Sequence, residues 1–408
     1  MTRTMKTSIK AALLAVAASA ALVACGGGGD GGVAPAPAPG SGTLRVALTD
    51  APNCRVGNSE LEKVFVTVER VRVHQSSDAE PSSGGWTDIA IGPAKKINLL
   101  DLLNGRLEEL GTTPLPAGNY TQVRLVLSAN RGSGTPENSV VRAGETDELP
   151  LQTPSAAQSG LKIIRPFTVA PNTTVDLVID FDACRSIVLH GNGSYALKPV
   201  LTADLKHVGA IVGYIDAGGV TGVMVSAQKD GQVIRSTTIA SDGAFSLSYL
   251  DSALSPYDVV ITAPAKSTAA VKGVPAVNAV TAISTVAAKI TMVASPTAKA
   301  SGTVGLAPGG PAAIPSVRAT QAIGTAPNNI PVAEISYVNA PVGTTYELAL
   351  PTGPARLALF AAGVPLSFSD QGTKSSYSLE ASAPDYSTVR TAVLDVPVTQ
   401  NFTLNPVP

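Results

Sequence analysis

The chain has 408 residues, enough for two or three domains. Its 29 Lys and Arg offset 30 Asp and Glu to a net charge of −1, which argues against a nucleic-acid-binding protein. Charged residues make up only 14% of the chain, while 38 Gly and 31 Pro favour turns and strands over helices. This composition predicts an all-β protein that works outside the cytoplasm.

A basic segment and an apolar run open the chain. Arg3, Lys6 and Lys10 precede the apolar stretch from Ala11 to Ala24, which at 14 residues is too short for a transmembrane helix. We therefore predict that residues 1–24 are a secretory signal peptide.

The apolar run ends in Leu22-Val23-Ala24-Cys25, which resembles the lipobox of bacterial lipoproteins. The resemblance implies that Cys25 is lipidated with acyl chains such as palmitate and becomes the first mature residue. Several acyl chains anchor a protein stably in a membrane that it does not span. Gly26, where an aspartate would signal inner-membrane retention, implies an outer-membrane anchor in a Gram-negative envelope, with the leaflet left open. The alternative is an ordinary signal peptide with an incidental cysteine.

Residues 25–42 are predicted to form the lipidated tether. A flexible glycine segment is followed by a stiffer Ala-Pro repeat, as in a linker that lifts a folded body off a bilayer. Gly26, Gly28 and Gly31 match the spacing of a dinucleotide-binding loop, but neither a strand before them nor a helix after them supports that interpretation.

Cys54 and Cys184 remain once Cys25 is acylated. Because both are exported to an oxidising compartment and each follows a strand-like segment, we predict a Cys54–Cys184 disulfide. Closing so long a loop would stabilise the fold by about 4 to 5 kcal/mol at most.

Period-two alternation predicts strands in the first domain. It runs through Val64–Val68 and resumes one residue out of phase at Val71, which predicts a β-bulge near Glu69. Similar alternation marks 123–127 and 175–181 as half-buried antiparallel strands. The spacing of apolar residues in 99–110, with Gly111 behind them, predicts a short helix.

Six motifs in order resemble the domain of unknown function 4382 that is common in bacterial lipoproteins. The resemblance covers residues 43–206 and implies an architecture without an activity. The motifs are Leu48-Thr49-Asp50-Ala51-Pro52, Val71-Arg72-Val73-His74, Leu115-Pro116-Ala117-Gly118-Asn119-Tyr120-Thr121-Gln122-Val123-Arg124-Leu125, Gln158-Ser159-Gly160-Leu161-Lys162, Asp180-Phe181-Asp182-Ala183 and Tyr195-Ala196-Leu197-Lys198-Pro199-Val200.

The second half contains short strand patterns and turn signals in series. Residues 208–294 are similar to carboxypeptidase-regulatory-like, transthyretin-like β-sandwich modules. Residues 298–408 repeat the pattern loosely, with Gly305 and Tyr346 in the places of Gly213 and Phe245. The predicted fold class is thus all-β, with serial antiparallel β-sandwich domains behind a lipidated flexible tether.

No motif for catalysis or for zinc is present. His74, His190 and His207 each lack a second histidine or a cysteine at metal-ligand spacing, and the sequence contains no nucleophile elbow and no phosphate-binding loop. We therefore predict that the protein is not an enzyme and needs no cofactor, with Ca²⁺ as the one exception considered below.

Three carboxylates near the predicted disulfide are candidate ligands for Ca²⁺. Asp50 precedes Cys54, and Asp180 and Asp182 precede Cys184, so the disulfide would gather them at one end of the first domain. The alternative is that Asp50 caps a turn and Asp180 faces solvent on a strand.

Trp86, beside Ser82-Ser83-Gly84-Gly85, is a candidate platform for a glycan on a loop. The alternative is a large aromatic side chain that covers the end of a sandwich core.

Two functions from different classes are compatible with these features. The favoured hypothesis is a non-enzymatic cell-envelope lipoprotein, membrane-anchored through lipid, that displays β-sandwich modules for ligand binding, adhesion or envelope assembly. Its partner would be an unknown protein or glycan. The alternative is a periplasmic or surface hydrolase, or its accessory subunit, centred on the acidic cluster.

Overall fold

A computed structural model describes residues 40–50, 55–56, 59–102, 104–132, 134–207 and 209–407. The predicted signal peptide and almost all of the predicted tether lie outside these residues. The all-β fold class is confirmed, since strands dominate and the two α-helices have five and four residues.

Two sheets enclose the core of the first domain. One has the order β13-β10-β1-β5; the other has the order β11-β12-β8-β7-β3-β6-β9, with β2 and β4 also paired to β3. The elements are β1 (Ser41–Asp50), β2 (Arg55–Val56), β3 (Ser59–His74), β4 (Thr87–Asn98), β5 (Glu108–Pro116), β6 (Gly118–Leu127), β7 (Ser139–Arg142), β8 (Leu149–Gln152), α1 (Pro154–Gln158), β9 (Leu161–Val169), β10 (Thr174–Phe181), α2 (Ala183–Ser186), β11 (Ile187–Leu189), β12 (Tyr195–Leu197) and β13 (Leu201–Leu205).

The predicted bulge is confirmed. The register of β3 shifts between Val68 and Arg70 against two of its partner strands, β4 and β6. The extra residue returns the valines on both sides of the bulge to the core, where Val68, Val71 and Val73 are fully buried.

The predicted helix over 99–110 is wrong. Only a 3-10 turn at Leu99–Asp101 forms, and β5 begins at Glu108. Asn104 and Gly105 both have positive φ, at 57° and 77°, and two successive left-handed residues end a right-handed helix. The chain reverses there, and β5 pairs with β1.

The second half contains two units with the same strand order. The first consists of β14 (Gly209–Asp216), β15 (Met224–Lys229), β16 (Gln232–Thr238), β17 (Ala244–Leu250), β18 (Tyr257–Thr262), β19 (Ala269–Val274), β20 (Val280–Ala282) and β21 (Ile290–Thr291). The second consists of β22 (Thr297–Leu306), β23 (Ser316–Ile323), β24 (Ile330–Asn339), β25 (Thr345–Pro351), β26 (Ala355–Leu359), β27 (Ser369–Gln371), β28 (Ser378–Ser382), β29 (Val389–Arg390), β30 (Val398–Thr399) and β31 (Phe402–Leu404).

The topology reveals the repeat and its insertion. In one sheet of each unit, the first strand pairs antiparallel with the fourth strand and parallel with the last two. In the first unit, β14 pairs in this way with β17, β20 and β21. In the second unit, β22 pairs in the same way with β25, β30 and β31. The other sheets run β16-β15-β18-β19 and β24-β23-β28-β29. Strands β26 and β27 have no counterpart in the first unit, so they are an insertion. The glycine that pairs with Tyr346 is Gly302, not Gly305, whereas Gly213 pairs with Phe245 as the repeat requires.

The insertion joins the two units. Strand β26 pairs in parallel with β19, which extends the sheet of the first unit to β16-β15-β18-β19-β26-β27. Val259 and Val271 of this sheet pack into the core of their own unit, but Val260 and Ala270 are buried in the core of the next one. We predict a domain boundary at 295–297, between the two units. One β-sheet and one hydrophobic core contain residues from both sides of this boundary.

Candidate functional site

The acidic residues that the sequence singles out lie at the end of a parallel strand pair. β1 and β10 run side by side with Thr49 opposite Asp180 and Asp50 opposite Phe181. Parallel pairing brings both strand ends to the same edge of the sheet, which is why residues so far apart in sequence become neighbours. Both carboxylates are largely buried.

Asp180 forms a buried ion pair with Arg235 of β16, across the contact between the first domain and the first repeat unit. Asp50 Oδ1 accepts a hydrogen bond from the Ala183 amide at 2.9 Å, which holds the start of α2. Beside these groups lies a cavity of about 20 Å³, the size of a single water molecule. The arrangement therefore joins two domains around a cavity of this size.

Asp182 is the N-cap of α2. It accepts a hydrogen bond from the Arg185 amide at 3.0 Å, and its Oδ2 lies 3.3 Å from Arg185 Nε. Burial raises the pKa of Asp182 to about 6, although Arg185 acts in the opposite direction. Among the described residues, the carboxylate and imidazole atoms that cluster closely enough for one metal ion belong to a different group. The calcium site at Asp50, Asp180 and Asp182 stays a prediction.

A second charged cluster connects the first domain to the second repeat unit. The buried Glu334 of β24 pairs with Arg185, and its Oε2 lies 3.6 Å from Arg318 Nη1. Arg318 also pairs with Glu380 at 2.7 Å. Burial raises the pKa of Glu334, but the two guanidinium groups beside it oppose that rise.

The same place receives a contact from the first repeat unit. The side chain of Gln228 in β15 is buried, accepts from the Glu334 amide at 2.8 Å and donates to the Glu334 carbonyl at 2.8 Å. Residues from all three predicted domains thus meet at Glu334. We call Asp180, Arg185, Gln228, Arg235 and Glu334 the junction residues.

Neutral hydrogen bonds reinforce the junction. The Asn104 side chain accepts from the Thr237 hydroxyl at 3.0 Å and from the Ser246 amide at 3.1 Å, and the Tyr249 hydroxyl donates to the Gly105 carbonyl. On the other side, the Asn339 amide donates to the carbonyls of Arg185 and Ile187. These bonds orient the domains because, in each bond, the donor belongs to one domain and the acceptor to another.

Trp86 is half-buried and already has partners. The guanidinium carbons of Arg72 and Arg124 lie 5.0 and 5.4 Å from the ring centroid, and the His74 ring lies at 5.0 Å. Its Nε1 donates to the Glu80 carbonyl at 2.9 Å. Cation–π contacts thus hold the ring against the strands, and the glycan platform stays a prediction.

A group that the sequence spacing does not indicate combines Asp204, His207 and Asp251. His207 Nε2 lies 3.0 Å from Asp204 Oδ1 and 3.9 Å from Asp251 Oδ2. Asp204 and His207 lie three positions apart in the sequence where the first domain ends. Asp251 lies in the turn after β17. Only the tertiary fold brings the third member to the pair.

The cysteine predictions concern residues that are mostly not described. Cys25 and Cys54 lie outside the described residues, and Cys184 lies in α2 with a side chain that is not described. The lipidation and the disulfide therefore stay predictions. Within the described ranges, none of the helices has the length and apolar character needed to cross a membrane.

Comparison with known proteins identifies the first domain. Residues 41–199 match the family described as a domain of unknown function (DUF4382), in agreement with the resemblance in the sequence. No curated protein matches the chain. The carboxypeptidase-regulatory-like resemblance of the second half stays a prediction.

Solved structures with similarity to the chain include two pilins. The Bacillus anthracis TIE protein shares 8% identity over 91% of this chain, with a TM-score of 0.16, and the chain spans 51% of that protein. A Streptococcal ancillary pilin shares 12% identity over 90% of this chain and 99% of its own, with a TM-score of 0.17. The major pilin SpaD from Corynebacterium diphtheriae shares 9% identity over 91% of this chain and 98% of its own, with a TM-score of 0.17. TM-scores of this size support no functional inference.

Proposed function

We propose that this protein is a non-enzymatic cell-envelope lipoprotein that presents its β domains to a ligand as one rigid body. The observation that carries this proposal is the junction, where residues of all three predicted domains meet in buried ion pairs and hydrogen bonds. These contacts fix the arrangement of the domains, because separating them would leave a buried charge without its partner. A rigid body holds its outer surfaces at fixed spacing for a partner.

The polar groups of the junction support binding over catalysis. Asp180 is neutralised by Arg235, Asp182 caps a helix, and Glu334 is surrounded by two arginines. General acid–base catalysis needs a titrating group within reach of a substrate, whereas these carboxylates reach protein partners.

A groove in the first repeat unit is a candidate surface for the ligand. Its volume is about 370 Å³, within the range of small-molecule sites, and it lies between the ends of β14 and β16. Asp216 and Asp242 in its wall accept hydrogen bonds from Gly218 and Ala244, so they hold turns. The rest of the lining is mostly backbone and small or aliphatic side chains, together with Lys289, whose ammonium donates to the Asp242 carbonyl at 2.6 Å.

Lipidation of Cys25 is tested by labelling cells with a radioactive fatty acid. The wild-type protein should incorporate label and fractionate with membranes, whereas Cys25→Ser should remain unlabelled and be released. Label on the Cys25→Ser variant would contradict the anchor, and Cys184→Ser is the matched control that should keep it.

The site of action is tested by treating intact cells with protease, beside cells whose outer membrane is permeabilised. Digestion of the β domains on intact cells would support capture of an external protein or glycan. Protection until permeabilisation would place the partner in the periplasm, where cross-linking identifies it. A substrate turned over by the purified protein, and lost in one point variant, would contradict the proposal.

A further inference from the structure

Two carboxylates and an imidazole converge where the first domain meets the first repeat unit. Asp204 is in β13, His207 follows it, and Asp251 begins the turn between β17 and β18. One ligand atom from each of the three lies within 4.8 Å of the other two, and all three side chains are half-buried. The separations of His207 Nε2 from the two carboxylate oxygens, 3.0 and 3.9 Å, lie on either side of the roughly 3.4 Å expected between two ligands of a tetrahedral ion with bonds of about 2.0 to 2.2 Å.

Both carboxylates are positioned by groups outside the cluster. Asp251 Oδ1 accepts from the Ala253 amide at 2.8 Å, which leaves Oδ2 facing His207. The Tyr257 hydroxyl donates to the Asp251 carbonyl at 2.6 Å and holds the backbone. Asp204 Oδ1 accepts from Arg165 and from the Leu205 amide as well as facing His207. Such outer contacts are the usual means by which proteins orient metal ligands.

The charges favour a divalent cation. With a neutral imidazole, Asp204 and Asp251 contribute two negative charges and Arg165 one positive charge. One nitrogen and two oxygen ligands suit zinc and its first-row neighbours, whereas Ca²⁺ takes six to eight oxygens and no imidazole. Three protein ligands leave the fourth tetrahedral position to water.

We propose that Asp204, His207 and Asp251 form a binding site for a divalent transition metal of the zinc class, which clamps the first domain to the first repeat unit. The ion would join the end of β13 to the turn after β17. This role is independent of any ligand that the outer surfaces bind.

The test is a titration of the purified, tag-free full-length protein with ZnCl₂ after treatment with EDTA. Isothermal titration calorimetry should show one equivalent bound, and the thermal midpoint should rise with zinc. Co²⁺ in place of zinc should give the visible d–d absorption of a low-coordinate site.

Variants assign the site to its residues. His207→Ala and Asp251→Asn should each weaken zinc binding by more than about 10-fold, the size of loss that even an outer-shell partner causes. His190→Ala is the matched control, since His190 lies outside the cluster, and it should bind zinc as the wild type does. Melting in EDTA establishes that each variant folds.

Either of two results would overturn the proposal. One is the absence of zinc heat and of a thermal shift in the wild type, which would leave His207 as a hydrogen-bond partner of Asp204. The other is binding that survives in both His207→Ala and Asp251→Asn.

Discussion

At the residue scale, the protein places charged side chains where its domains meet. The sequence draws attention to Asp180 and Asp182 because they stand close together near a cysteine, but it does not show how they connect to other domains. Asp180 pairs with Arg235, and the Asp182 partner Arg185 also reaches Glu334. A buried charge without its partner is costly, so these residues hold the domains in one arrangement.

Arg235→Ala should lower the free energy of unfolding by about 3 to 5 kcal/mol, because it leaves the Asp180 carboxylate buried and unpaired. The matched control is Arg45→Ala. Arg45 pairs with Asp176 of the same strand β10, but its side chain is 55% exposed, and the loss should be much smaller because solvent screens an exposed ion pair. Guanidinium denaturation measures both. Equal losses would show that the Asp180–Arg235 pair does not carry the domain contact.

The raised pKa of Asp182 predicts a pH dependence. Its folded pKa of about 6 is above the unfolded value of about 3.9, so the folded state holds the proton more tightly. Stability from this group is therefore full below about pH 4 and is lost as the pH rises to about 6. Asp182→Asn keeps an N-cap side chain and removes the titration.

Urea denaturation at pH 4.5 and pH 7 measures this effect. The free energy of unfolding of Asp182→Asn relative to the wild type should increase between the two pH values, by an amount on the order of 1 to 3 kcal/mol. Glu334, whose pKa is also raised, is coupled to Asp182, so the comparison is repeated with Glu334→Gln in both proteins to remove its titration. A difference that does not change with pH would contradict the raised pKa.

At the element scale, local signals in the sequence define most strands, and special residues define the turns. The bulge in β3 follows from a break in alternation that the sequence displays directly. The region after Leu99 shows the opposite case, because its apolar spacing predicts a helix that does not form. The positive φ of Asn104 and Gly105 and the pairing of β5 with β1 determine its conformation instead.

Gly243, in the turn before β17, is required for two separate reasons. Its φ of 89° is unfavourable for other residues, and a Cβ there would lie 2.2 Å from the Ile215 carbonyl oxygen. Gly243→Ala should destabilise the protein by more than the roughly 1 to 2 kcal/mol of a left-handed alanine. Gly219→Ala, with a φ of 79° and open space around its Cβ, should show only the conformational cost. Thermal melting compares them, and equal losses would contradict the close approach.

At the scale of the whole molecule, two repeat units share a sheet and part of a core. Strand β26, inserted into the second unit, pairs with β19 of the first, and the Arg356 amide donates to the Thr268 carbonyl at 2.8 Å. Val260 and Ala270 are almost fully buried against the second unit. These contacts make the units interdependent and support the rigid body proposed above.

A chain that ends at residue 294 should therefore be less stable than the full chain. It would lack β26, expose the edge of β19 and uncover Val260 and Ala270. We expect a lower thermal midpoint and binding of a hydrophobic dye before unfolding. An unchanged midpoint without dye binding would show that the first unit is self-sufficient.

By itself, the sequence determined the all-β class, several strands such as those at 64–73, 123–127 and 175–181, the bulge in β3 and the repeat in the second half. These features depend on alternation and turn residues within about ten positions, which are visible in a single chain. Only the tertiary structure decided that Asp180 meets Arg235, that Asp251 joins Asp204 and His207, and that β26 completes another unit's sheet. The physical reason is that such partners are chosen by the packing of distant strands, and no local periodicity records which strand end lies beside which.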